Sequence, residues 1–296
     1  MKPSLVLLLC CLTFELFAQT IDHSGSKSGI TTEIVKFKSG RITLEGTVYK
    51  PEHPYAAIVL VHGSGQERRM DGMALVLAEH GLAVLTYDKR GVGKSGGIYA
   101  GPEIGTNNID SANLELLAAD ASAASKELLT HLAGKHIILG LLGASQAGWV
   151  IPLSAKKSKQ VSFMVIFSGP VVTTLEQLRF QFYTEGKPDF WETHLETEVR
   201  QHIKNDPDRY QFSATDPVDA LNSLSIHGLW LFGGEDVQVP VQLSIDHLDQ
   251  LKSEGKLYEY RLFPGLGHNT SFLKSEEPTA LAIQWIKSLA ESNSGL

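Results

Sequence analysis

The chain predicts an α/β protein, a mostly parallel sheet with helices on both faces. Three observations predict it. Continuous apolar runs such as Ala56–Val61 and Val161–Phe167 lack polar alternation, as expected of strands buried on both faces. Helix-patterned segments separate these runs in regular alternation, so successive strands join by crossovers and run parallel. The apolar run Ile137–Leu142 meets a tight turn of small residues, Gly143-Ala144-Ser145-Gln146-Ala147-Gly148, and a helix-compatible stretch follows at once.

Residues 19–30 are polar and rich in Gly and Ser, a mobile lead-in. Thr32–Lys38 and Arg41–Lys50 alternate apolar and polar around Ser39-Gly40, which predicts an antiparallel hairpin. Ala56–Val61 is the first fully buried strand. Met70–His80 has helical spacing and stops at Gly81. Leu82–Tyr87 is the next strand, and Ile109–Leu132 a long helix rich in Ala and Leu. His136–Leu142 is a strand, Gln146–Lys157 a helix and Val161–Phe167 a strand. The stretch from Val171 to about Ser225 breaks the rhythm. It is longer than an ordinary crossover and carries Phe180, Phe182, Tyr183, Phe190, Trp191, Tyr210 and Phe212. It predicts a helical insertion over the C-terminal edge of the sheet. Leu229–Phe232, Leu243–Leu251, Tyr258–Phe263 and Pro278–Leu289 resume the strand–helix alternation. Residues 31–170 and 226–296 then form the core, and 171–225 the insertion.

The 296 residues, 43% hydrophobic and 20% charged, suffice for a sizeable core. The net charge is −7 and no Lys/Arg run stands out, which speaks against nucleic acid as a partner. Residues 1–18 have the pattern of a secretory signal: Lys2 as the basic flank, the apolar run Leu5–Leu12, and Phe17-Ala18-Gln19 as a cleavage site after Ala18. Leu5–Leu12 is too short to span a bilayer, and no later segment is long and apolar enough. The expectation is export, to the periplasm or the outside of a bacterial cell. Both cysteines, Cys10 and Cys11, lie within the signal. A chain cut after Ala18 has no disulfide, no thiolate nucleophile and no cysteine metal ligand. Nothing in the sequence specifies an oligomeric state.

The turn at Ser145 is close to a nucleophile elbow, a strained strand-to-helix turn that exposes a serine hydroxyl above a sheet. Residues two positions before and after the serine crowd each other, and Gly143 and Gly148 suit that crowding. Ala147 departs from the strict G-x-S-x-G pattern by one methyl group. A serine needs a base, usually a histidine oriented by a carboxylate. Leu229–Phe232 runs into Gly233-Gly234-Glu235-Asp236, and Tyr258–Phe263 into Pro264-Gly265-Leu266-Gly267-His268. Ser145, Asp236 and His268 therefore all leave strand C-termini, where such sheets bind ligands. Each has an ordinary rival role: a Gly/Ser turn for Ser145, a helix cap or turn former for Asp236, a loop residue for His268. Glu235 is the alternative acid. His247 also follows Asp236, but in mid-helix. Donors for a negatively charged intermediate are expected after the first buried strand, in His62-Gly63-Ser64-Gly65. The backbone N–H groups of Ser64 and Gln146 are the candidates, the rival being a flexible turn. Asp88-Lys89-Arg90-Gly91-Val92-Gly93-Lys94-Ser95 lacks the spacing of a phosphate loop. It predicts a structural turn in which Asp88 and Arg90 tie neighbouring loops together.

Together, His62-Gly63-Ser64-Gly65, the Tyr87–Ser95 segment, the Ser145 elbow, Gly234–Pro240 and Pro264–His268 resemble the α/β-hydrolase superfamily over roughly Ile42–Leu289. More narrowly they look like bacterial serine carboxylesterases with a small helical cap. Ala147, and His227-Gly228 where proline is usual, depart from that narrower pattern. The resemblance implies an eight-stranded, mostly parallel sheet, the α/β-hydrolase fold, with no cofactor and no metal. It implies a small-molecule ester as substrate and a covalent acyl-enzyme, with Ser145 as nucleophile, His268 as base and Asp236 as its orienter. It also implies oxyanion binding by the Ser64 and Gln146 N–H groups. A serine peptidase or a thioesterase of the same fold, and a non-catalytic binding protein, are the rival readings. Ser145 argues against the members that use an aspartate nucleophile.

Overall fold

A computed structural model of the chain describes residues 29–101, 107–132, 137–207, 212–271 and 277–294. The expected signal, nearly all of the lead-in, and Tyr210 lie outside the described residues.

Eight strands form one sheet: β1 (Ile30–Ser39), β2 (Ile42–Pro51), β3 (Ala56–Val61), β4 (Leu82–Tyr87), β5 (Ile138–Ala144), β6 (Val161–Phe167), β7 (His227–Gly233) and β8 (Tyr258–Phe263). Their order is β1-β2-β4-β3-β5-β6-β7-β8. The β1–β2 hairpin turns at Gly40, whose φ is +57°, and β2 runs antiparallel to β4. Every other pairing is parallel. The middle strands β3 and β4 are buried at every residue, which explains their unbroken apolar sequences.

Helices cover both faces. On one side, α1 (Asp71–Glu79) and α9 (Glu277–Ser294) pack against Ile58, Leu60, Val84, Phe163 and Leu229. On the other, α2 (Ser111–Thr130), α3 (Ala147–Lys157) and α8 (Val241–Ser253) pack against Val59, Leu85, Leu141, Ile166 and Trp230. The stop predicted at Gly81 is present: α1 ends two residues before it, and Gly81 takes a φ of +89°. Asp110 caps α2 by accepting from the Ala112 N–H.

The long stretch after β6 is helical, as expected. It holds α4 (Thr174–Thr184), α5 (Phe190–Thr193), α6 (Glu196–Asn205) and α7 (Pro217–Ser223). A capping box between Thr173 and Glu176 starts α4. Phe180, Phe190, Val199 and Ile203 make a small core for α4–α6, separate from the main ones. Two bonds join that unit to the loop after β7: Trp191 Nε1 donates to Asp236 O at 2.8 Å, and Thr184 Oγ1 to Val237 O at 2.7 Å. The last helix behaves differently. Leu221 and Leu224 of the α7 region join the main core beside α3 and α8, and Tyr258 Oη donates to Leu221 O.

Asp88 and Arg90 act as ties. Asp88 accepts from the Arg69 N–H, Nε and Nη2 and from the Lys94 N–H. Burial acts to raise its pKa, but the Arg69 guanidinium and these bonds hold it below the usual carboxylate value. Arg90 pairs with the buried Asp120 of α2 at 2.5 Å. Gly93, at φ +56°, leaves room for this arrangement, since a Cβ there would lie 2.5 Å from Asp88 Oδ2.

Candidate active site

Parallel strands deliver their C-terminal ends to one rim, and three loops there meet. The β5–α3 turn carries Ser145. Its φ is +56°, in the left-handed region that non-glycine residues rarely adopt. The turn is fixed from both sides: the Ser145 N–H donates to Phe167 O at 3.0 Å, and the Gly148 N–H to Ser145 O at 2.8 Å. A Cβ at Gly143 would lie 2.6 Å from Ala147 Cβ and 2.5 Å from Val61 O. The crowding expected from the sequence is therefore real, and it resolves through Gly143. With position 143 bare, position 147 can carry a methyl. Gly148 is needed for a second reason, because a Cβ there would lie 2.6 Å from Pro170 Cδ.

His268 lies between the other two groups. Its Nε2 is 3.0 Å from Ser145 Oγ and its Nδ1 is 2.8 Å from Asp236 Oδ2. A carboxylate only accepts, so Nδ1 carries the proton and Nε2 is left free to accept from the serine. The Asp236 side chain is fully buried. Its second oxygen, Oδ1, accepts from the Gln238 and Val239 N–H groups at 2.7 and 2.9 Å. Burial works against the imidazolium of His268, but the Asp236 charge and hydrogen bond outweigh it and raise the His268 pKa above 6.5. The rest of the histidine loop is anchored by Thr270, whose hydroxyl is 2.9 Å from Ser168 Oγ and donates to Leu231 O. The alternatives left open by the sequence do not join this chain of groups. Glu235 is exposed, and the His247 Nδ1 donates to Val171 O at 2.6 Å.

The β3 loop comes alongside the elbow because Val61 pairs with Gly143 in the parallel register. A Cβ at Gly63 would be 3.5 Å from Ala144 O. Ser64 follows in that loop, and Gln146 is the N-cap of α3, where the positive end of the helix dipole favours negative charge. Among the described residues neither the Ser64 nor the Gln146 N–H donates a hydrogen bond. His62, just before them, is buried, and its Nε2 donates to Tyr87 O at 2.6 Å. Burial, reinforced by the Lys89 charge, lowers its pKa to about 3, so it stays neutral.

Two charged residues of this rim have no role in the sequence reading. Lys89 is 1% exposed. Its Nζ donates to Gly63 O, Gly65 O and Gln146 Oε1. Glu67 accepts from the Gly63 N–H at 2.9 Å, and burial raises its pKa against the pull of the Lys89 charge. The signal for Lys89 is its place two residues after a buried strand. Its acceptors come from loops 24 to 57 residues away, which periodicity does not reach.

Among the described residues there is no cluster of three or more His, Cys, Asp or Glu that could hold a metal ion, and no helix long and apolar enough to cross a membrane.

A family model described as serine aminopeptidase, S33, matches residues 52–208. Solved structures with the same fold include an acylaminoacyl peptidase of Pyrococcus horikoshii, 18% identical with a TM-score of 0.60; the match covers 90% of this chain but 41% of that one. An esterase of Pyrococcus furiosus is 16% identical with a TM-score of 0.61, covering 88% of this chain and 89% of the other. A dienelactone hydrolase of Anabaena variabilis is 20% identical with a TM-score of 0.59, covering 88% and 98%. No curated protein sequence matches.

Proposed function

The chain belongs to the α/β-hydrolase family described as serine aminopeptidase, S33, and from that premise we propose that it is a serine esterase that cleaves small carboxylic esters through Ser145, His268 and Asp236. The observation that carries this reading is the continuous hydrogen-bonded chain Ser145–His268–Asp236, with Ser145 held at positive φ.

In the proposed reaction Ser145 Oγ attacks the ester carbonyl carbon while His268 Nε2 takes the hydroxyl proton. The C–O bond to the alcohol breaks in the collapse of the tetrahedral intermediate, and His268 returns the proton to the leaving alkoxide. Water then repeats the sequence on the acyl-enzyme and releases the acid. Asp236 holds the imidazole in the tautomer with Nδ1 protonated and stabilises the imidazolium. The Ser64 and Gln146 N–H groups receive the oxyanion, a preorganised role worth about 100- to 1,000-fold per donor. The aromatic unit α4–α6 acts as a cap, bearing on the acid loop through Trp191. The leader at residues 1–18 supports a further part of the reading, export of the chain. Amino-terminal sequencing of the secreted or periplasmic protein tests that part, with Gln19 expected first.

A peptidase is the second reading, favoured by the description of the family and by the acylaminoacyl peptidase fold neighbour. A p-nitrophenyl ester series from acetate to laurate, run beside aminoacyl and acyl-aminoacyl p-nitroanilides and beside Ser145→Ala, separates the two. Ester turnover lost in the variant supports the esterase. Turnover of anilides alone would replace it with the peptidase.

A further inference from the structure

We infer that Lys89 is a positioning residue of the oxyanion-binding site, acting through the Gly63–Ser64 peptide and the Gln146 side chain. The inference rests on the serine-hydrolase reading and deepens it. Lys89 reaches both segments bearing the proposed donors. Its Nζ lies 2.5 Å from Gly63 O and 3.2 Å from Gly65 O on one side, and 3.2 Å from Gln146 Oε1 on the other.

The peptide group explains how it acts. A trans peptide is planar, with its C=O and N–H antiparallel. When the Gly63 carbonyl points at Lys89, the Ser64 N–H of the same peptide points the opposite way. Binding of the carbonyl by a cation also polarises the amide, and chains of such bonds strengthen one another in a low-dielectric site. The same holds for the Gly65 carbonyl and the next N–H along the loop. On the elbow side, Gln146 is held at both ends of its amide, since its Nε2 donates to Asn108 O. Fixing that side chain fixes the N-cap residue of α3, whose own N–H is the second donor. Glu67 completes the device: its carboxyl takes the Gly63 N–H, occupying the donor just before Ser64. Lys89 need not touch substrate for any of this.

The test compares Lys89→Met with the parent on p-nitrophenyl acetate, and measures inhibition by an aryl trifluoromethyl ketone, which forms a tetrahedral adduct with a serine nucleophile. Removing one oxyanion donor costs roughly 100- to 1,000-fold. A residue that only orients and polarises donors is expected to cost less, about 10- to 100-fold in kcat, with KM within about threefold. The ketone should weaken in the same ratio as kcat. Lys89→Met leaves the half-buried Glu67 without the Lys89 charge, so the double variant Lys89→Met/Glu67→Gln is measured with it. Recovered thermal stability with kcat still low is expected. A kcat within twofold of the parent in either folded variant, or a kcat restored along with stability in the double, would overturn the inference and leave Lys89 a structural residue. A parent that turns over no ester or anilide and binds no ketone would overturn the hydrolase reading and this inference with it.

Discussion

Substitution of Gly143 by alanine is expected to damage the elbow. The added Cβ would sit 2.5 Å from Val61 O and 2.6 Å from Ala147 Cβ. Ordinary carbon contacts lie at about 3.5–4 Å, so the overlap is about 1 Å on two sides. Neither neighbour can rotate away. One is the backbone of the fully buried strand β3, the other the Cβ of a fully buried residue at the start of α3. The strand and the elbow must therefore separate. Overpacking of this kind costs about 1–3 kcal/mol, and each kcal/mol lowers Tm by about 2–4 °C in a chain of this size. The kinetic cost is larger, because a shift of about 1 Å in a reacting group can cost about 100-fold. Differential scanning calorimetry and kcat for p-nitrophenyl acetate measure the two effects separately. The double variant Gly143→Ala/Ala147→Gly removes the clash within the turn and keeps the one with Val61 O, so it should recover part of the loss. A Gly143→Ala protein with the parent's Tm and kcat would refute the reasoning.

Other expectations follow from the same geometry. Asp236→Asn disturbs the tautomer of His268 and should lower kcat by about 10,000-fold, measured by ester turnover under saturating substrate. In the parent, His268 must be neutral to act as base and its pKa is raised, so kcat/KM should fall as pH drops through a limb lying above 6.5. Removing the carboxylate leaves only burial, and the limb of the residual Asp236→Asn activity should move below 6.5; a limb that stays in place would contradict this. Arg90→Met strands Asp120, which is 1% exposed, and should cost about 3–5 kcal/mol in urea unfolding. Trp191→Phe removes the bond to Asp236 O and should cost about 1 kcal/mol of stability with less than a tenfold change in kcat, by the same assays.

Much of this architecture is legible in the sequence for physical reasons. β3 and β4 are buried on both faces, so every residue must be apolar and the strands announce themselves. Ser145, Asp236 and His268 stand out in the sequence as candidates because each follows a strand, and strand ends converge by topology. The sequence favours Asp236 and keeps Glu235 as the alternative, without a physical reason that separates the two. Adjacent residues in a turn point to different sides, and only the turned backbone makes Asp236 buried and Glu235 exposed. The insertion read as one helical piece because its aromatic residues share a composition. Its last helix, α7, is short, and Leu221 and Leu224 alone do not reveal that they join the main core. Lys89 escaped for the converse reason. A lysine after a strand is ordinarily solvated, and its burial is decided by carbonyls from the β3 loop and an amide from the elbow.

The central claim is that Ser145 is a nucleophile activated by His268. The most direct measurement is intact-mass analysis of the folded chain after exposure to a fluorophosphonate, with peptide mapping of the adduct. One adduct per chain, located on Ser145 and absent from Ser145→Ala and His268→Ala, is the predicted result. An unlabelled parent, or a label on any other serine, would contradict the account.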